Sequence, residues 1–177
     1  MQVNTKRLVL RPINANDKHA ILKYRSDAEA NKYQGWIPKT INDVETFFGK
    51  LSAEFNVPDT WFQLAVVEKN NNELIGDIGI HFIDEQQVEL GYTIAKHKQG
   101  LGFATEAAKA VIDHLFGELK KHRITASIDP ENIASVALLE KLGFRKEAHF
   151  RESLLLNDKW VDDVIYALLA REWNMNN

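Results

Sequence analysis

The stretch Gln99-Gly100-Leu101-Gly102-Phe103-Ala104-Thr105-Glu106 constrains this chain more than any other, because it joins a strand pattern to a helix pattern. Before it, Val88, Leu90, Tyr92 and Ile94 alternate with Glu89, Gly91 and Thr93, the period of a strand. After it, Ala104, Ala108, Val111, Ile112, Leu115 and Leu119 fall on one helical face. Such a junction suits an anion: glycines let a ligand approach the backbone, the first helical N–H groups have no intrahelical partner, and the macrodipole adds roughly +0.5 charge there. A diphosphate is the natural guest. Lys96 and Lys98 flank the turn and Lys109 lies further along the helix, so the local charge opposes the formal net charge of −3.

Two familiar phosphate-binding patterns fit poorly. The Walker sequence G-x-x-x-x-G-K-[ST] occurs nowhere. A dinucleotide fingerprint G-x-G-x-x-G would need glycine at 105, where threonine stands, although Asp129 after the next predicted strand imitates its ribose-binding acid. Architecture also opposes it, because three antiparallel strands precede the turn and only 71 residues follow it, too few to complete the first half and build a second mononucleotide half. It remains the runner-up for the cofactor.

The rest of the chain reads as strand Leu8–Leu10, a helix capped by Asp17 and a second helical pattern from Asn42 to Phe55. Strands Trp61–Glu68, Leu74–Ile83 and Val88–Ile94 come next, then the long helix, strand Ile124–Ile128, helix Asn132–Leu142 and strands Phe144–Leu156 and Trp160–Leu169. This order predicts an α+β fold, with a mixed, mostly antiparallel central sheet of about seven strands and about four helices. The crossover through the long helix makes Val88–Ile94 and Ile124–Ile128 parallel neighbours. At 177 residues the chain is expected to form one domain, 1–177.

Composition narrows the chemistry. With no cysteine there is no disulfide, thiolate metal site or cysteine nucleophile. The six histidines show no metal-ligand spacing, and no metal is expected. The slightly negative charge disfavours nucleic acid as a partner. No apolar run has the length of a signal peptide or membrane span, so a cytoplasmic setting with no membrane partner is expected.

The pattern Gln99-x-x-Gly102-x-Ala104, followed by Thr105-Glu106-Ala107, resembles the coenzyme A pyrophosphate loop of the GNAT superfamily of N-acetyltransferases. Asp129-Pro130-Glu131-Asn132-x-x-Ser135 and Leu139-Glu140-Lys141-Leu142-Gly143-Phe144 are similar to that family's second signature. The opening Thr5-Lys6-Arg7-Leu8-Val9-Leu10-Arg11-Pro12 resembles the branch of ribosomal-protein N-terminal alanine acetyltransferases. The resemblance implies a GNAT-like fold and transfer of an acetyl group from acetyl-CoA to a primary amine by direct attack, with a protein N-terminal α-amine as the favoured acceptor. It places the donor on Tyr92, Thr93, Ile94, the turn Gln99, Gly100, Leu101, Gly102, Phe103, Ala104 and Thr105, and Asn132, Ser135 and Lys141. Ser135 matches the position proposed as general acid in that branch, while Leu138 and Leu139 stand where related enzymes carry a tyrosine. Glu89, on the weakly apolar face of its strand, is the candidate general base and substrate contact, against the plain alternative of a solvated strand carboxylate. Trp36, in a Gly/Pro loop, is the candidate acceptor contact. A small amine such as an aminoglycoside or polyamine is the alternative acceptor, and a non-catalytic acyl-CoA sensor the alternative class. The chain is expected as monomer or homodimer.

Overall fold

The computed structural model describes residues 1–156 and 158–175. Its elements are β1 (Val3–Asn4), β2 (Leu8–Pro12), a 3-10 turn (Ala15–Asp17), α1 (Lys18–Arg25), α2 (Ile41–Phe48), β3 (Thr60–Glu68), β4 (Glu73–Phe82) and β5 (Gln87–Ile94). A second 3-10 turn (Lys96–Lys98) leads to α3 (Phe103–Gly117), β6 (Arg123–Ile128), α4 (Ile133–Lys141), β7 (Arg145–Leu156), β8 (Lys159–Leu169) and α5 (Ala170–Met175). One sheet of eight strands runs in the order β1-β2-β3-β4-β5-β6-β8-β7. Every neighbouring pair is antiparallel except β5 and β6.

The α+β reading and the parallel β5–β6 pair hold, and two short elements join the expected seven strands and four helices. β1 is a two-residue pairing, Val3 with Leu10 and Asn4 with Val9, too short to leave a period. α5 follows β8 directly, with no breaker residue between them. α2 is shorter than its apolar spacing predicts. A capping box between Thr40 and Asp43 starts it and it closes at Gly49, after which Phe55 packs edge-on against Phe62 and Phe82 with centroids 5.1 Å apart in each case. Asp17 does not cap α1 with its side chain. Its carboxylate instead grips Arg11 through two hydrogen bonds of 2.7 Å and accepts from the Asn14 N–H, closing the preceding turn.

The sheet has two unlike faces. Across β3, β4 and β5 the rows Phe62–Ile80–Leu90 and Leu64–Ile78–Tyr92 look toward α3, whose Ala107, Ala108, Val111, Ile112 and Leu115 are buried. Each aliphatic side chain fully buried here contributes about 1.5–3 kcal/mol. The opposite face carries the rows Trp61–His81–Glu89, Gln63–Gly79–Gly91 and Ala65–Asp77–Thr93. α1 reaches it through Tyr24 and Arg25, which bond to Asp77.

The feature that positions the site is a divergence of strands. β5 pairs with β6 only at Gln87–Arg123, Val88–Ile124 and Glu89–Thr125, whereas β6 continues to Ile128 against β8. From Leu90 to Ile94, therefore, β5 has no strand partner on that side. No helix among the described residues is long and apolar enough to cross a membrane.

Candidate active site

A cavity of about 660 Å³ opens where β5 leaves β6, within the usual range for small-molecule sites. Its walls are the β5 end at Tyr92–Ile94, the turn before α3, one side of α4 from Ile133 to Lys141, and residues 29–34 between α1 and α2. Twelve of the expected donor residues meet here: Tyr92, Thr93, Ile94, Gln99, Gly100, Gly102, Phe103, Ala104, Thr105, Asn132, Ser135 and Lys141. Leu101 does not. It is 55% exposed and does not line the cavity, and its carbonyl accepts from Arg7 Nη1 at 2.9 Å.

The turn is shaped for an anion. Gly100 and Gly102 have φ of 73° and 79°, a left-handed conformation that strains side-chain-bearing residues. The first helical bond of α3 runs from the Glu106 N–H to the Gly102 carbonyl, which leaves the N–H groups of Phe103, Ala104 and Thr105 without intrahelical acceptors. Of the lysines expected to add charge, Lys98 is neutralised by Glu68 and Glu73 at 2.6 and 3.0 Å. Lys96 and Lys141 stand on the cavity wall. Asn132 caps α4 by accepting from the Ser135 N–H at 3.2 Å, so the cap uses the Ser135 backbone rather than its hydroxyl.

The free edge of β5 is met by side chains where a strand would be. The Ile94 carbonyl accepts from Gln99 Nε2 at 2.9 Å and the Tyr92 carbonyl from Gln34 Nε2 at 3.5 Å. Thr93 Oγ1, buried in the same wall, has no hydrogen-bond partner among the described residues. An orphaned hydroxyl, a bare strand edge and a glycine cradle fit a ligand with an amide-bearing arm and a diphosphate, as coenzyme A has.

Glu89 and Trp36 lie outside this cavity. Glu89 sits at the last β5–β6 pair, on the face that carries Gly91 and Thr93. Burial pushes its carboxyl above the usual range; His81, with Nδ1 at 3.8 Å, opposes the shift and Asp163 adds to it. His81 stacks on Trp61 with centroids 4.8 Å apart. Gly79 and Gly91 pair across the strands beside Glu89; the Trp61 ring and the Gln63 side chain cover Gly79, whereas nothing lies within 4 Å of a Cβ built on Gly91. Trp36 instead stacks on Phe47 at 4.4 Å, and the Arg25 guanidinium lies 5.3 Å from its ring centroid. Sequence reasoning also passed over Gln34, His81 and the Thr93 hydroxyl. Strand register could have flagged His81 as the cross-strand neighbour of Glu89, whereas no periodic signal marks Gln34.

Comparison with known proteins agrees with this geometry. Residues 7–145 match the family model of the acetyltransferase (GNAT) domain. The chain is 34% identical over 178 residues to the uncharacterized N-acetyltransferase YnaD of Bacillus subtilis (strain 168), covering 98% of this chain and 100% of the relative. It is 27% identical over 183 residues to the ribosomal protein uS5 alanine N-acetyltransferase of Escherichia coli (strain K12), covering 98% and 93%. Among solved structures, a GNAT-family acetyltransferase from Bacillus anthracis aligns with TM-score 0.86 at 31% identity, over 97% of this chain and 100% of that one. Fold and site thus define an acyltransferase, an N-acetyltransferase dependent on acetyl-CoA. The chain belongs to the GNAT acetyltransferase family.

Proposed function

We propose that this enzyme acetylates a protein N-terminal α-amine in the cytoplasm, with the donor diphosphate on the turn 99–105 and the donor's amide arm along the free edge of β5. The observation that carries this reading is the loss of β5–β6 pairing after Glu89 and Thr125, which sets a bare strand edge beside a glycine-lined helix start. Support for the acceptor comes from the alanine N-acetyltransferase relative, similar along nearly the whole chain.

Acetyl-CoA supplies an activated acetyl group as a thioester. Glu89 takes a proton from the incoming ammonium across the open floor at Gly91, and burial raises the affinity of that carboxylate for the proton. A free α-amine has a pKa of about 8, against about 10.4 for lysine, so a terminus needs only a mild base. The freed nitrogen attacks the carbonyl carbon, the carbon–sulfur bond breaks, and as the amide forms the nitrogen's second proton passes through the Ser135 hydroxyl on the cavity wall to the departing thiolate, which leaves Ser135 neutral. A backbone N–H near Ile94 holds the developing oxyanion. Lys141 adds positive charge at the wall, and Trp36, packed on Phe47, steadies the segment that carries Gln34.

The deciding experiment follows coenzyme A release from acetyl-CoA over peptides with free N-termini, N-terminally blocked lysine peptides, polyamines and aminoglycosides. Release with a free-terminus peptide well above that with every other amine is expected. A preference for a polyamine or aminoglycoside would transfer the acceptor to the small-molecule class.

A further inference from the structure

The Thr5-Lys6-Arg7 segment, remote in sequence from the turn, closes on it in space. Glu106 lies in the first turn of α3, where a carboxylate is attracted to the same positive helix end that a diphosphate would use. That carboxylate is fully engaged: Oε1 accepts from Thr5 Oγ1 at 2.6 Å and from the Arg7 backbone N–H at 2.8 Å, and Oε2 accepts from Arg7 Nε at 2.6 Å. Although burial works against it, these partners hold Glu106 below its ordinary pKa. The same guanidinium donates from Nη1 to the Leu101 carbonyl and lies 4.2 Å from the Phe103 ring centroid. Its last nitrogen, Nη2, would be 3.4 Å from a Cβ on Gly102 and forms no hydrogen bond among the described residues. One side chain therefore touches the turn at 101, 103 and 106 and lies over the Gly102 backbone where a Cβ would point.

We infer that Arg7 is a positioning residue for the acyl donor, which clamps the glycine turn in its anion-binding shape and cancels the Glu106 carboxylate that would otherwise repel the diphosphate. This rests on the reading that the turn binds the diphosphate of acetyl-CoA. A bidentate-capable guanidinium suits the task because its fork is rigid and always charged.

The test is calorimetric titration of coenzyme A into wild type, Arg7→Ala, Glu106→Gln and the double variant, with KM and kcat for acetyl-CoA measured alongside. Arg7→Ala is expected to raise Kd about tenfold, with KM following Kd and kcat falling less. Adding Glu106→Gln to Arg7→Ala removes the exposed negative charge and is expected to recover part of that loss, a reversal that a merely destabilised turn does not produce. Should Arg7→Ala fail to fold, Arg7→Gln serves in its place with the same expectations. Wild-type affinity in the Arg7 variant, or a double variant no tighter than the single one, overturns the inference and leaves the donor reading intact. Failure of wild type itself to bind coenzyme A overturns both.

Discussion

At the scale of single residues, the site depends on groups made unusual by their surroundings. Glu89 is one row from the Gly79–Gly91 pair, and partial burial raises its affinity for a proton. In the proposed role of general base it would act only when deprotonated, so the rate is expected to be lost as pH falls through a titration lying above the usual carboxylate value of about 4.3. Glu89→Gln is expected to lower turnover by about 10²–10⁴, to erase that acidic limb of the pH–rate profile and to leave acetyl-CoA affinity nearly intact. An unchanged profile would return Glu89 to a solvated strand carboxylate. Thr93 presents the complementary case. A buried hydroxyl without a partner costs stability, and its place in the cavity wall gives that cost a use once a ligand supplies the missing bond.

At the scale of elements, the turn and the start of α3 act as one unit. Gly102 is the N-cap with φ of 79° and offers no side chain to cap the helix, which leaves the terminal N–H groups to a ligand. Gly102→Asp forces a side chain into a left-handed residue and sets a carboxylate at the proposed diphosphate position. Loss of coenzyme A binding in calorimetry is the expected result, and wild-type affinity would refute the assignment of the turn. α4 contrasts with α3, because Asn132 satisfies its own helix end through the Ser135 N–H. Of the two helix starts on the cavity wall, the one without a side-chain cap is the one suited to the anion.

At the scale of the whole molecule, the face of the sheet opposite α3 is held by a buried charge cluster. Asp77, 1% exposed, accepts from Arg25 Nε at 2.9 Å, from Gln63 Nε2 at 2.6 Å and from the Tyr24 hydroxyl. This ties α1 to β3 and β4 directly beside Thr93. Burial works against the charge on Arg25, yet Asp77 more than offsets it and holds the guanidinium firmly protonated. Removing one partner leaves an uncompensated buried charge, so Arg25→Ala is expected to cost about 3–5 kcal/mol. Urea denaturation checks it, with a lower midpoint and an unchanged m-value expected; a loss below about 1 kcal/mol would mean that water reaches Asp77 and the cluster is not sealed.

The element order, the parallel crossover and the glycine turn were legible in the sequence because they leave local marks: alternation in β5, a helical face from Ala104 to Leu115, and glycines where the backbone must turn left-handed. Twelve of the expected donor residues share one cavity for the same reason, since each belongs to a contiguous strand–turn–helix unit or to α4 and its cap. Partnership across the sheet left no such mark. That Arg7 spends its charge on Glu106, Lys98 on Glu68 and Glu73, and Arg25 on Asp77 depends on register and on which helix covers which face. Trp36 carries the same lesson: its Gly/Pro surroundings mark a loop, but no local signal shows that its ring stacks on Phe47 of α2. Local propensity acts between residues a few positions apart, whereas the charge balance and the shape of this cavity arise between residues up to 101 positions apart, and only the packed fold brings those together.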